Sequence, residues 1–199
     1  VYVLASMSVN AQLRIVPASG FGHDLVGMAG AVTPKTKIVF VANPNNPTGT
    51  YSDTDSVEQF LEALPSTVLA VLDEAYFEYV TKSDYPDGVS LLSRFPNLVV
   101  VRTFSKAYGL AGLRVGYGIA SKEIAEVLNR VRHPFNVNSL ALAAAEAALG
   151  DESFLADSVR RNLEGLKQLG SGLDALGLDW IPSVANFICA RVGTNAEKI

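Results

Sequence analysis

Three short apolar runs constrain the fold of this chain more than any other feature: Lys37-Ile38-Val39-Phe40-Val41, Thr67-Val68-Leu69-Ala70-Val71-Leu72 and Leu98-Val99-Val100-Val101. Continuous runs of this length, rich in β-branched residues, suit strands covered on both faces, as in a parallel sheet flanked by helices. Each gives way to a polar cluster: Asn43 to Gly49, Asp73-Glu74-Ala75-Tyr76 and Thr103-Phe104-Ser105-Lys106. In open α/β sheets the ligand lies outside the carboxyl ends of the strands, so the three clusters are expected to meet at one crevice.

Helical patterns fill the intervals. Val57, Phe60, Leu61 and Leu64 recur at helical spacing after Asp55, with Glu58 three residues later as a capping pair, and Pro65 ends the run. Arg114 to Ile119 reads as a further strand, and Ile124, Val127, Leu128 and Val131 as a further helix. Asn138 is expected to cap an alanine-rich helix reaching Leu149. From Ser153 to Leu176, the residues Leu155, Val159, Leu163, Leu166, Leu173 and Leu176 hold one stripe along a helix long enough to link two domains. Trp180-Ile181 and Asn186 to Arg191 read as strands beyond it. The expected organisation is a doubly wound, mostly parallel α/β domain over residues 1–152, then a linking helix and the start of a small α+β domain over 153–199.

With 49% hydrophobic residues the chain can bury a sizeable core. Its net charge of −4 comes from interspersed charges, which points away from a nucleic-acid surface or a polybasic membrane patch. The apolar runs have strand length and fall far short of a membrane span. A single cysteine, Cys189, precludes an intramolecular disulfide and fits a reducing compartment, so cytoplasm is the expected location. The opening Val1-Tyr2-Val3-Leu4 and the ending Lys198-Ile199 both read as cuts, and the expectation is a piece of a longer protein.

Lys106 ends a hydrophobic strand, where partial desolvation favours the neutral, nucleophilic amine; a plain surface lysine is the alternative reading. Asp73 closes a buried strand, where an unpaired anion is costly and calls for a cation, such as a protonated pyridine nitrogen; a helix cap is the alternative. Asn43-Pro44-Asn45-Asn46-Pro47-Thr48-Gly49 is a rigid turn whose asparagines can bond backbone or ligand. Asp73 lies 27 residues after Asn46, Lys106 33 residues after Asp73, and Arg114 8 residues after Lys106. His23, in a Gly-rich turn, and His133, before Pro134, read as structural, and Cys189 as a small core residue.

The strings NPNNPTGT, LDEAYFEY, RTFSKAYGLAGLRVGYG and HPFNVNSLALAAAEAAL, in this order, resemble the fold-type-I aminotransferases, most of all the histidinol-phosphate aminotransferase family, over nearly the whole chain. The resemblance implies pyridoxal phosphate as cofactor. It makes Lys106 the catalytic lysine, which forms a Schiff base with the cofactor and shuttles a proton. It sets Asp73 on the pyridine nitrogen, Asn46 and Tyr76 on the phenolic oxygen, and Ser105 and Arg114 on the phosphate. Asn186 lies where relatives place a residue near the substrate, although an asparagine at a strand start also has a structural reading. No metal is implied.

The implied reaction transfers an amino group between L-histidinol phosphate and 2-oxoglutarate, in histidine biosynthesis, by a homodimer. Relatives also use an upstream Gly-rich loop, a ring-stacking aromatic just before the position of Val1, a tyrosine from the second subunit and a C-terminal arginine segment. The 199 residues lack all four, so they are not expected to catalyse alone. Two rivals keep every residue named: an aromatic amino acid aminotransferase, or a decarboxylase of the same fold. A third, of another class, is the aminotransferase-like sensor domain of a transcription regulator.

Overall fold

The computed structural model describes residues 2–193 and 196. Val1 and the Lys198-Ile199 end lie outside them. After the short helices α1 (Tyr2–Ser8) and α2 (Leu25–Gly30) come β1 (Ile38–Ala42), α3 (Thr54–Ala63), β2 (Leu69–Asp73), α4 (Gly88–Leu91) and β3 (Leu98–Thr103). Then follow β4 (Gly116–Ala120), α5 (Lys122–Val131), α6 (Ser139–Leu149), α7 (Glu152–Ala175), β5 (Trp180–Ile181) and β6 (Cys189–Ala190). The sheet runs β1-β2-β3-β4, with β1, β2 and β3 parallel and β4 antiparallel to β3. This is a mixed, mostly parallel α/β sheet, and its register sets Asp73 between Ala42 and Val101 at the carboxyl ends of three strands.

Side-chain alternation assigns the faces. Ala70 and Leu72 on β2, with Leu98 and Val100 on β3, pack in one cluster with Val57, Phe60 and Leu61 of α3 and Leu91 of α4. Asp73 and Phe40 fall on the other face by the period of two. Both helical crossovers therefore cover one face, as right-handed connections running in one direction require.

Some local expectations are corrected. The cap of α3 is Asp53, whose carboxylate accepts the Ser56 N–H at 2.8 Å, while Asp55 sits in the first turn. Two aspartates two residues apart offer the same signal, and only the extended backbone at Asp53 suits a cap. The stretch from Asn186 to Ile188 is irregular, leaving only Cys189–Ala190 to pair with Trp180–Ile181. Asn138 caps α6 through the Ala141 N–H at 2.8 Å, a contact worth about 1 kcal/mol in general.

His23 accepts the Ala42 N–H on Nε2 at 3.2 Å, capping the end of β1, and burial holds its imidazole below the ordinary 6.5. The sign follows from linkage: above 6.5 both folded and unfolded chains carry a neutral ring, and below it the unfolded chain binds the proton first. Stability contributed by His23 is therefore lost as pH falls below 6.5. In His23→Gln, which keeps an acceptor but cannot titrate, the denaturation midpoint should fall less steeply with acid than in the unmodified protein. Parallel pH profiles would refute the assignment.

Candidate active site

The turn after β1 separates its three asparagines by role. Asn43 is buried and structural: its amide donates to the Ser52 carbonyl at 3.0 Å and its side-chain oxygen accepts the Ser52 N–H at 2.8 Å. Asn45 donates to Thr48 Oγ1 at 2.8 Å, inside the turn. Asn46 reaches toward the end of β2, donating to Tyr76 Oη at 2.7 Å. Gly49 closes the turn at φ 72°, and a Cβ there would collide with the Ser183 side chain, so the segment beyond α7 is seated directly on this turn. The Val184 N–H donates to the Gly49 carbonyl at 2.9 Å and completes the contact.

At the end of β2, Asp73 and Glu74 point to opposite faces. Asp73 accepts the Tyr2 hydroxyl on Oδ2 and the Ala75 N–H on Oδ1 at 3.1 Å. Among the described residues no basic side chain pairs with it. The carboxylate that is paired with a cation within the chain is not Asp73 but its neighbour Glu74. Glu74 is fully buried and receives Arg102 Nε at 2.9 Å, Arg102 Nη2 at 2.7 Å and the Gly88 N–H at 2.8 Å. Burial pushes the Glu74 carboxyl up to about 7 and Arg102 pulls the other way. Arg102 also pairs with Asp87 at 2.6 Å and lies 3.5 Å from the Phe77 ring centroid. A Cβ on Gly88 would come within 2.6 Å of the Glu74 carboxylate, so only glycine leaves it room. This network ties the ends of β2 and β3 on the helix-covered face, opposite Asp73.

Beyond β3, the Ser105 N–H donates to Thr103 Oγ1 at 3.1 Å and the Gly109 N–H to the Lys106 carbonyl at 2.9 Å, which turns the chain at Lys106. Lys106 Nζ lies 5.3 Å from the centroid of the Tyr76 ring. Tyr76 thus touches Asn46 with its hydroxyl and Lys106 with its face, linking all three strand ends. Its other edge meets Phe187, with centroids 5.1 Å apart at 83°. Asn186, beside Phe187, is exposed and faces Tyr79. Arg114 is exposed in the left-handed region at φ 55°, its Nη1 donating to the Ala111 carbonyl at 2.9 Å.

Asn46 and Lys106 are thus both gathered on Tyr76, with Asp73 on the adjoining strand end and Ser105 next to Lys106 on one turn. Arg114 and Asn186 stand at the margin, without a hydrogen bond to that set. Sequence reasoning passed over Tyr2 and the Glu74–Arg102 pair. Arg102 carried a signal, since alternation places it on the covered face beside Glu74, where a cation must be paired. Tyr2 carried none.

A model of the family described as aminotransferase class I and II matches residues 6–199. The chain is 56% identical over 199 residues to histidinol-phosphate aminotransferase 2 of Pseudomonas fluorescens (strain Pf0-1), spanning 100% of this chain and 54% of that protein. It is 57% identical, with the same coverage, to the protein of that name from Pseudomonas aeruginosa. The chain spans about half the length of the curated relatives it matches. Among solved structures, histidinol-phosphate aminotransferase from Sinorhizobium meliloti in complex with pyridoxal-5'-phosphate superposes with a TM-score of 0.92 at 34% identity, covering 98% of this chain and 53% of that one. L-threonine-O-3-phosphate decarboxylase from Porphyromonas gingivalis gives 0.70 at 28%, covering 84% and 52%.

Proposed function

The chain belongs to the aminotransferase class I and II family, and from that premise we propose that the protein is a pyridoxal-phosphate-dependent histidinol-phosphate aminotransferase. It would exchange an amino group between L-histidinol phosphate and 2-oxoglutarate, in the cytoplasm and as a homodimer. The observation that carries the reaction class is the set gathered at the strand ends: an amine, a carboxylate free of any basic partner among the described residues, and an amide bonded to a phenol. The substrate assignment rests on the identity of 56–57% across the whole chain to proteins of that name. No described helix is long and apolar enough to cross a membrane.

The donor set suits this cofactor. Asn46 and Tyr76 together present an amide N–H and a phenol O–H, as a phenolate oxygen requires, and Asp73 has lone pairs left for a protonated ring nitrogen. When bound, pyridoxal phosphate supplies an electron sink for the pair released at the substrate α-carbon. Lys106 would hold the cofactor through its amine, then take the proton from the substrate α-carbon and return it to the cofactor's C4′. Asp73 would keep the ring nitrogen charged. Asn46 and Tyr76 would hold the phenolic oxygen, while Ser105 and Arg114 would bind the phosphate, Arg114 through the guanidinium donors not used on the Ala111 carbonyl. Asn186 would lie toward the substrate. Division into a cofactor domain over 1–152 and a second unit from 153 onward belongs to the same proposal.

The test is an assay of the full-length protein with L-histidinol phosphate and 2-oxoglutarate, reading glutamate. Glutamate formation dependent on added pyridoxal phosphate is the expected result. Turnover confined to aromatic amino acids, or release of carbon dioxide from a phosphorylated amino acid, would overturn the substrate assignment in favour of a rival of the same fold.

A further inference from the structure

The Tyr2 hydroxyl donates to Asp73 Oδ2, and the Tyr2 ring lies on that of Phe40, with centroids 4.8 Å apart and planes 14° from parallel. Phe40 and Asp73 belong to neighbouring strands on the same sheet face, so the stacked ring fixes the direction from which the phenol approaches the carboxylate. The other oxygen, Oδ1, takes the Ala75 N–H at 3.1 Å. Each carboxylate oxygen thus has one donor and spare acceptor capacity for a ring N–H. A core-anchoring role for Tyr2 is poorly matched to its surroundings, because α1 contributes no buried residue. Burial, and then the Asp73 hydrogen bond and charge, push the Tyr2 phenol upward, so it is the neutral donor in this pair.

We propose that Tyr2 is a positioning residue for the cofactor's pyridine nitrogen, acting through Asp73. The inference rests on the role given to Asp73 above and assigns Tyr2 a task that none of the motifs singled out in the sequence contains. A hydrogen bond donated to a carboxylate stabilises its charged form. With Tyr2 in place, the proton shared between Asp73 and the ring nitrogen stays on the nitrogen, where it is needed to draw electrons into the ring. The phenol also stops the carboxylate from rotating away from that nitrogen.

The test uses the full-length holoenzyme with Tyr2→Phe, which keeps the ring on Phe40 and removes only the donor, alongside Asp73→Asn and the double variant. Turnover at saturating substrate in Tyr2→Phe should fall roughly tenfold with KM little changed, as expected for one hydrogen bond to a charged group. The 15N resonance of labelled cofactor should move part of the way toward that of a neutral pyridine. Both effects should vanish when Tyr2→Phe is made in the Asp73→Asn background, because the group through which Tyr2 acts is already gone. The apo protein's melting temperature should not change. Equal effects in both backgrounds, or an unmoved 15N resonance in Tyr2→Phe, would overturn the proposal while leaving the role of Asp73 intact. An Asp73→Asn variant with the resonance and turnover of the unmodified enzyme would instead remove the role of Asp73, and Tyr2's with it.

Discussion

A Lys106→Ala variant of the full-length protein is expected to lose the covalent attachment of its cofactor, and with it the visible absorption of the lysine-bound form, while keeping its fold. The fold should survive because the amine makes no hydrogen bond or ion pair among the described residues and lies over the face of Tyr76, 5.3 Å from its ring centroid. Ala107, which follows it, is the residue that packs into the core formed with Tyr76, Tyr79 and Ala185. Turnover should drop about 10⁴-fold or more, since one side chain serves both as the covalent anchor and as the proton carrier, and positioned acid–base groups alone reach that figure. Borohydride treatment followed by mass analysis checks it: label on Lys106 in the unmodified protein and none in the variant is expected. A reducible adduct that persists in Lys106→Ala would show that another amine is the anchor.

Asp73→Asn is expected to slow the chemical step about 10²–10³-fold, the usual loss when one preorganised electrostatic partner of the reacting centre is removed. Asparagine matches aspartate in size and can still accept the Ala75 N–H, so β2 and its register with β1 and β3 should hold. The anion that keeps the ring nitrogen charged is what disappears. Its contribution grows as electrons move into the ring, so turnover should suffer far more than cofactor affinity. Near-normal turnover at saturating substrate would leave Asp73 only a local role, accepting the Ala75 N–H after β2, in place of the helix cap that was the alternative reading of its sequence.

The fold was legible wherever the signal was local and repeated. Continuous runs such as Leu98 to Val101 read as covered strands because only a strand with two buried faces has use for so many consecutive β-branched residues. Asn138 and Pro65 marked helix ends because capping and the missing N–H of proline act within one turn of the chain. Asp53 was missed in favour of Asp55 because both are carboxylates and the backbone angle that separates them is not written in residue type. Asn186 to Ile188 misled because a short apolar run fits a strand, whereas Phe187 is committed to Tyr76 and Val184, just before it, to the turn at Gly49.

By itself, the sequence determined the kind of sheet, the positions where its strands hand over to polar clusters, and the order of an asparagine turn, an aspartate, a lysine and an arginine that mark the family. These are properties of neighbours along the chain, set by alternation, capping and the chemistry of short motifs. Only the tertiary structure decided which asparagine of the turn meets Tyr76, which of two adjacent carboxylates is buried against Arg102, and that Tyr2 holds the other. Those pairings join residues 30, 28 and 71 positions apart. They exist because strand register and face, fixed by packing over the whole sheet, bring donors to acceptors, and no interaction along the chain itself specifies them.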